Sequence, residues 1–224
     1  MEIKSEKTTN NMINLAEIRR NYMMHTLDEE DAGKDPILFF EKWLEQAIEA
    51  LTTEPTAMVL ATADEKGRPS SRVVLLKGIE NGCFRFFTNY NSQKGKQIRK
   101  NPYGSLLFFW PEIERQVRIQ GKIEKITEDE SDEYFGSRPL ESRISAVISP
   151  QSEVIPGRSY LENLLNTKKE ELLRSNSIIR PKHWGGYDLK PTSIEFWQGR
   201  ESRLHDRILF LKIRTNWIRE RLAP

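Results

Sequence analysis

The chain has 224 residues, and its 35 Lys plus Arg against 33 Asp plus Glu give a formal net charge of only +2. Hydrophobic residues make up 37% and charged residues 30%, which is typical of a folded protein and excludes a wholly disordered chain. The longest apolar run, residues 106–110, is far shorter than the roughly 20 residues of a membrane-spanning helix.

The N-terminal residues and the cysteine content bear on location. The first residues, MEIKSEKTTNN, lack the apolar segment of a secretory signal, so a cytoplasmic protein is expected. The single cysteine, Cys83, cannot form an internal disulfide, which agrees with a reducing compartment. The three histidines and Cys83 show no zinc-ligand spacing, and no metal site is expected.

Two parts of unequal length are predicted. Residues 1–34 are polar without a sustained hydrophobic period and predict a mobile N-terminal arm with one helical turn near 15–22. Residues 35–224 predict a single domain. Its first helix begins at Asp35 and Pro36 and ends before Pro55.

Short strands and then helices follow this first helix. Asn81 and Gly82 are a strong hairpin signal, and Thr127 opens a capping box. Strands are predicted over 56–63, 70–79, 83–88, 103–110 and 115–126, helices over 127–135, 141–148 and 159–174, a turn at 184–187, and further strands at 193–197, 207–213 and near 217. Short strands joined by hairpins favour an antiparallel sheet or barrel, and the fold class expected is α+β.

The segment 91–97 carries an unusual placement of charge. Ser92 is a good N-cap, but Lys94 and Lys96 would follow it in the first helical turn, where cations oppose the helix dipole. A bound phosphate would reverse that cost, because free N–H groups and lysines both favour an anion there. The alternative is an ordinary solvated helix.

Three polar residues on strands are further candidates. Arg72 and Lys77 bracket an apolar run and, being five residues apart, are expected on opposite faces unless a bulge intervenes. Gln116 lies on the polar face of its strand, where an amide can donate to and accept from a heterocycle. The alternative for each is a side chain that simply reaches solvent.

The densest group of candidates lies near the C-terminus. Arg203, His205 and Arg207 alternate along one side of a presumed extended segment, with Asp206 opposite. Such a face calls for a partner, either acidic side chains of a salt-bridged edge strand or a planar anionic ligand. Because the chain has no dinucleotide fingerprint, phosphate loop or nucleophile motif, its chemistry is expected to come from an organic cofactor.

These motifs together resemble one family. The strings EFWQ and RLHDR, four residues apart, RVVLLK at 72–77, FFTNYNSQK at 86–94, ERQVRIQG at 114–121, YFGSRP at 134–139 and the closing ERLAP are similar to the pyridoxine (pyridoxamine) 5′-phosphate oxidase family. The resemblance extends from about residue 15 to the C-terminus. It implies an antiparallel split β-barrel of the FMN-binding, Greek-key type with surrounding helices, and a homodimer with FMN between the subunits.

The resemblance also implies an activity and roles for residues. The activity is oxidation of pyridoxine 5′-phosphate and pyridoxamine 5′-phosphate to pyridoxal 5′-phosphate, with O2 reduced to H2O2. Arg203 and His205 are the implied catalytic residues. The implied FMN contacts are Arg72, Val73, Val74, Leu75, Leu76, Lys77, Phe87, Thr88, Gln93, Lys94, Gln116, Gln151, Ser152, Trp197 and Arg207. The implied substrate contacts are Arg19, Arg20, Asn21, Tyr22, Lys77, Tyr134, Arg138, Ser142, Arg203, Leu204 and His205.

Two positions depart from the family pattern. Gln93 stands where the family often has arginine, which removes a charge-assisted bond, so Gln93 ranks below Lys94 as a phosphate contact. Asn21 stands where the family's N-terminal cover often has an acid. Both departures leave the overall resemblance intact.

Three other functions compete with this one. A related split-barrel flavoprotein could use another substrate or electron acceptor, and a non-catalytic carrier could bind pyridoxal phosphate or flavin without turnover. A nucleic-acid module is disfavoured by the balanced charge, since binding of a phosphate backbone needs a concentrated basic surface. No nucleic-acid or membrane partner is expected.

Overall fold

The structure is a computed structural model, and it describes residues 22–174 and 178–224. Most of the helical turn predicted near 15–22 lies outside the described residues. The part of the N-terminal arm that is described reaches the core, because Leu27 and Ala32 are buried in it. The division of the chain at residue 34 stays a prediction.

The described residues form six α-helices. Asp35 accepts hydrogen bonds from the backbone N–H groups of Ile37 and Leu38, so the helix start predicted at Asp35 and Pro36 is confirmed. Thr127 and Glu130 form the predicted capping box. The helices are α1 (Glu29–Ala32), α2 (Pro36–Glu49), α3 (Gln93–Lys100), α4 (Glu128–Ser137), α5 (Leu140–Ile148) and α6 (Arg158–Arg174).

Nine strands form one antiparallel sheet in the described chain. They are β1 (Ala57–Ala63), β2 (Pro69–Leu75), β3 (Gly78–Glu80), β4 (Cys83–Asn89), β5 (Tyr103–Trp110), β6 (Arg115–Lys125), β7 (Trp184–Gln198), β8 (Asp206–Ile213) and β9 (Asn216–Arg221). The order is β2-β1-β5-β6-β7-β4-β3, with β8 beside β7 and β9 beside β8. The predicted α+β fold with an antiparallel split barrel is confirmed.

The long strand β7 organises the sheet. One of its edges pairs with β6 along almost its whole length. Its other edge pairs with β4 from Trp184 to Leu189 and with β8 from Ser193 to Gln198. Residues carried by β4 and by β8 therefore lie at opposite ends of β7.

The core lies between α2 and the concave face of this sheet. It is rich in aromatic rings, and Phe40 contacts Phe84, Phe108 and Trp110 with ring centroids 4.9–6.1 Å apart. On β6 the buried Val117, Ile119 and Ile123 alternate with exposed polar residues, as predicted. Burial of these rings is the main source of stability.

The single strand predicted over 70–79 is wrong. The chain forms β2 up to Leu75, turns at Leu76 and Lys77, and then begins β3. Leu76 donates its N–H to the carbonyl of Thr56, whereas Lys77 donates to the carbonyl of Arg85. The backbone hydrogen bonds therefore change partner between Leu76 and Lys77, from the segment before β1 to strand β4. The unbroken apolar run in the sequence gives no sign of this change.

The turn predicted at residues 184–187 is also wrong, because these residues begin β7. Gly185 and Gly186 are needed for close packing. A Cβ on Gly185 would lie 2.1 Å from the Tyr90 hydroxyl oxygen, and one on Gly186 would lie 2.3 Å from Ile126. No helix of the described residues is long and apolar enough to cross a membrane.

Candidate functional site

A cavity of about 410 Å³ opens beside the start of β7. Lys77, Lys94 and Arg138 line it, and no Asp or Glu is among the described residues around it. The other lining residues are Val73, Val74, Leu75, Phe87, Thr88, Asn89, Tyr134, Ser145, Ala146, Ser149, Gln151 and Trp184. Three cations without a carboxylate make this a cavity for an anion.

Lys94 is the most deeply buried of these cations, with 8% of its surface exposed. Ser92 caps α3 through the N–H of Gly95, as predicted, and this fixes the first turn from which Lys94 projects. The Lys94 amine donates to the Thr88 hydroxyl at 3.2 Å and to Gln151 Oε1 at 3.3 Å. Burial and the positive charge of Arg72 lower the pKa of Lys94. An anion in the cavity would offset both effects.

Arg138 follows α4 and carries an unused hydrogen-bond donor. Its Nη1 is buried and has no hydrogen-bond partner in the described part of the chain. Its guanidinium lies 4.5 Å from the centroid of the Trp184 ring, and burial lowers its pKa. A buried guanidinium nitrogen left without an acceptor is costly unless a ligand oxygen meets it.

Three aromatic rings form one wall of the cavity. Phe87 stacks on Tyr134 with centroids 3.7 Å apart, and on Trp184 with centroids 5.5 Å apart. The Tyr134 ring is nearly parallel to that of Trp184, and burial raises the pKa of the Tyr134 hydroxyl. The stack fixes the position of α4, from which Tyr134 and Arg138 project.

Arg72 and Lys77 have different environments. Arg72 is half-buried and donates to the hydroxyls of Thr62 at 2.6 Å and Ser70 at 2.7 Å, and burial lowers its pKa. Lys77 is exposed at the cavity edge, in the turn between β2 and β3. Because the strand ends at Leu75, Arg72 lies on β2 and Lys77 lies outside any strand, so the expected placement on opposite faces of one strand does not apply.

A second cluster lies at the far end of β7. Trp197 pairs with Gln116 of β6 and with Arg207 of β8, so the three side chains share one face of the sheet. The His205 ring lies 4.7 Å from Trp197, and the Tyr22 ring lies within 6 Å of both. Gln116 and Trp197 are each half-buried.

The extended segment predicted over 203–207 is wrong in its first half. A single 3-10 turn spans Glu201–Arg203, and Arg203 has a positive φ of 62°. Strand β8 begins only at Asp206. Arg203 and Leu204 are exposed, while His205 is half-buried. The segment is a turn because Arg200 donates its N–H to His205 Nδ1 at 3.1 Å, which closes the loop.

This hydrogen bond also settles the form of the imidazole. Because Nδ1 accepts, the proton of neutral His205 is on Nε2. Burial and the positive charge of Arg203 lower the pKa of His205, against a smaller opposing effect of Asp206. The neutral ring is therefore favoured near pH 7.

Arg207 is partly neutralised within the chain. It donates to Glu195 at 2.9 Å and to the carbonyl of Ala223 at 2.8 Å. Glu195 also pairs with Arg118. The alternative of a salt-bridged edge strand is wrong in its position, because β8 lies between β7 and β9. Arg207 does form the expected salt bridge, whereas Arg203 is exposed.

Several residues implied by the resemblance are not among those that line the cavity. Leu76 is 5% exposed and packs in the core. Gln93 and Ser152 are exposed, and Ser142 is half-buried on α5. Arg19, Arg20 and Asn21 lie outside the described residues. The roles of all these residues stay predictions.

Five residues of the cavity wall were not predicted. The two glycines after Trp184 predict a turn there, whereas in the structure they allow the close packing of β7. Ser145 and Ala146 lie on the last turns of α5, and Ser149 follows the helix as its C-cap. Their helical spacing is the signal that the sequence offers for this group. Asn89 follows Thr88 and binds the carbonyl of Ser149 at 3.4 Å.

Two family descriptions match the sequence. Residues 44–164 match "Pyridoxamine 5′-phosphate oxidase", and residues 184–224 match "Pyridoxine 5′-phosphate oxidase C-terminal dimerisation region". A pyridoxine/pyridoxamine 5′-phosphate oxidase of Legionella pneumophila (strain Paris) is 52% identical over 94% of this chain and 97% of its own. The chain belongs to the pyridoxamine 5′-phosphate oxidase family. A further member, from Paraburkholderia xenovorans (strain LB400), is 51% identical over 95% of this chain and all of its own.

Solved structures agree with this membership. PhzG from Burkholderia lata, in complex with tetrahydrophenazine-1-carboxylic acid, superposes with a TM-score of 0.83 at 30% identity, over 90% of this chain and 99% of its own. A pyridoxamine 5′-phosphate oxidase-related, FMN binding protein from Nostoc punctiforme gives a TM-score of 0.67 at 17% identity, over 83% of this chain and 97% of its own. The second likeness shows a shared fold.

Proposed function

We propose that this protein is an FMN-dependent oxidase that converts pyridoxine 5′-phosphate and pyridoxamine 5′-phosphate to pyridoxal 5′-phosphate, with O2 reduced to H2O2. The observation that carries the proposal is the cavity lined by Lys77, Lys94 and Arg138 without a described carboxylate. These three cations are among the residues that the family resemblance assigns to two phosphorylated ligands. The relatives with about 50% identity carry the name of this activity.

Lys94 and Thr88 of the cavity, together with the neighbouring Arg72, fit the phosphate of FMN. The buried Lys94 amine and the half-buried Arg72 guanidinium are close enough for one charge to lower the pKa of the other, and both lack a carboxylate in the described chain. A phosphate bound to Lys94, Arg72 and Thr88 would neutralise this pair. Bound FMN would supply the two-electron acceptor for the reaction.

The substrate phosphate is assigned to Arg138, with Lys77 and Tyr134 beside it. The Nη1 atom of Arg138 has a free proton to donate, and the stack of Tyr134 and Phe87 keeps α4 in place. A phosphate held here supplies binding energy away from the reacting carbon, which fixes that carbon relative to the flavin. Ser142 stays a proposed contact on the neighbouring helix.

His205 and Arg203 are assigned to the pyridine end of the substrate. His205 carries its proton on Nε2, so this atom can donate a hydrogen bond, and Nδ1 is held by Arg200. The exposed Arg203 can neutralise negative charge that develops on the substrate. Tyr22 lies against Trp197 and His205, where it would exclude water from this end of the site.

The separation of the two clusters supports a site built from two copies of the chain. Thr88 pairs with Gly185, and Trp197 lies twelve residues further along β7, about 40 Å at the usual strand rise. This is far longer than one FMN molecule. We therefore assign the cavity of one subunit and the Trp197 cluster of the other to the same site, in a homodimer built through the dimerisation region at 184–224.

Oxygen uptake tests this function. Purified protein reconstituted with FMN should be yellow and should consume O2 and release H2O2 with either phosphorylated substrate, and far more slowly with unphosphorylated pyridoxine. Protein that binds flavin but releases no peroxide would be a carrier. Turnover of a tricyclic carboxylate, with no reaction of the vitamin phosphates, would instead place it beside the PhzG relative.

A further inference from the structure

Glu114 is a buried carboxylate that the proposed reaction does not use. It lies in the turn between β5 and β6, two residues before Gln116, and is 3% exposed. Its φ of 57° is in the left-handed region, which a non-glycine residue rarely adopts. Such strain persists only where the surroundings require it, and it is often found at functional sites.

The side chain of Glu114 binds the N-terminal segment through the backbone. Its Oε2 accepts the N–H of Met23 at 2.9 Å and the N–H of Met24 at 3.1 Å. Among the described residues no cation forms an ion pair with this carboxylate. The two amides are the hydrogen-bond partners that the described residues give to its side chain.

The backbone of Glu114 binds the end of β7, next to the N-terminal segment that the side chain holds. Its carbonyl accepts the N–H of Gly199 at 2.8 Å and the side-chain amide of Gln198 at 3.2 Å. A Cβ on Gly199 would lie 2.8 Å from Tyr22, so Tyr22 needs a glycine there. Glu114 thus binds both the segment that carries Tyr22 and the strand end against which Tyr22 packs.

We propose that Glu114 is a positioning residue, which holds residues 22–24 by their backbone N–H groups and so sets the Tyr22 ring against Trp197 and His205. The proposal rests on the proposed function in that Tyr22 is taken to cover the substrate. Because the bonds are to the backbone, they do not depend on the side chains of the segment.

Asp206 provides a second attachment of the same kind. Its Oδ2 accepts the N–H of Leu27 at 3.1 Å, next to His205. Asp206 also forms salt bridges with Arg200 and Arg221, so its carboxylate serves these two arginines as well as Leu27. Of these two acceptors, Glu114 binds the residues nearest to Tyr22. Removal of its side chain should therefore release Tyr22, while Leu27 stays in the core.

Amide hydrogen exchange of the flavin-loaded protein tests the attachment itself. In Glu114→Ala the amides of Met23 and Met24 should exchange at least about tenfold faster, because each loses the hydrogen bond that Oε2 accepts. The core amides of β6 should keep their protection. Glu114→Gln, which keeps a neutral acceptor and the side-chain volume, should be intermediate. The matched control is Glu112→Ala, at an exposed site of the same turn.

Steady-state kinetics tests the coupling to Tyr22. Glu114→Ala should raise KM for pyridoxine 5′-phosphate on the order of tenfold with a smaller effect on kcat, and the double variant with Tyr22→Ala should be no worse than Tyr22→Ala alone. Additive losses, or unchanged exchange at Met23 and Met24 in a folded variant, would overturn the proposal. A wild type without oxidase activity would refute the proposed function, and exchange would still decide the role of Glu114.

Discussion

The guanidinium of Arg138 lies over the ring of Trp184, 4.5 Å from its centroid, and this contact fixes the orientation of the guanidinium at the cavity. The contact joins the end of α4 to the first residue of β7. It holds the charge over an aromatic face while Nη1 stays without a described acceptor. The guanidinium is thereby ordered before any ligand binds, which lowers the entropy cost of binding.

Arg138→Met should impair use of the phosphorylated substrates selectively. Loss of one charge-assisted contact to phosphate is worth about 2–3 kcal/mol, so kcat/KM for pyridoxine 5′-phosphate should fall about 30- to 150-fold. The slow reaction of unphosphorylated pyridoxine should be unchanged. Equal losses with both substrates would show that Arg138 supports the structure of the site and does not bind the phosphate.

Lys94→Met should weaken flavin binding without destabilising the flavin-free protein. The buried amine costs stability when no anion is present, because burial and Arg72 both lower its pKa. Fluorescence titration should give an FMN dissociation constant raised at least about tenfold. Lys96→Met, at an exposed site on the same helix, is the control and should bind FMN normally. Loss of stability in flavin-free Lys94→Met would contradict this assignment.

The pKa of His205 should rise when Arg203 is replaced. Burial and the Arg203 charge lower it below its ordinary value of 6.5. Removing a like charge favours the imidazolium, so NMR titration of the ring protons in Arg203→Met should show a higher pKa than in the wild type. If neutral His205 is the working form, the acidic limb of kcat/KM should shift to higher pH in the same variant. An unchanged titration would mean that Arg203 does not act on the imidazole.

Two glycine substitutions should have opposite effects on stability. Gly185→Ala should lower the free energy of unfolding by about 1–3 kcal/mol, because its Cβ would lie 2.1 Å from the Tyr90 hydroxyl oxygen. Gly136→Ala lies on α4 with nothing within 4 Å and should raise it by up to about 1 kcal/mol. Urea unfolding of the two variants measures both. Equal behaviour would refute the packing role of Gly185.

Local signals predicted much of the fold. The Asp35 cap, the hairpin at Asn81-Gly82 and the capping box at Thr127 depend on neighbours in sequence, and each is present. The break at Leu76 and the strand at Gly185 depend on residues outside the local sequence, such as Thr56 and Tyr90. The spacing of residues in the sequence does not predict contacts between segments that are distant along the chain.

The candidate site also combines features that local sequence predicts with features that depend on distant residues. The Ser92 cap follows from a local cap signal, and a charge placed against the helix dipole marks Lys94 as a candidate. The burial of Lys94 is visible only in the structure. Glu114 could not be predicted as a backbone acceptor, since its partners are about 90 residues away. The resemblance supplied the site residues, whereas the structure shows that they form two separate clusters.

Complementation between two damaged chains tests most directly that the site is shared by two subunits. Arg138→Met removes a cavity residue and Arg203→Met removes a residue of the Trp197 cluster, so each variant alone should have little activity. After unfolding and refolding as an equal mixture, half of the dimers should be mixed and about a quarter of all sites should contain both native residues. We predict recovery of about a quarter of the wild-type oxidation of pyridoxine 5′-phosphate. No recovery in a mixture that demonstrably contains mixed dimers would contradict the account.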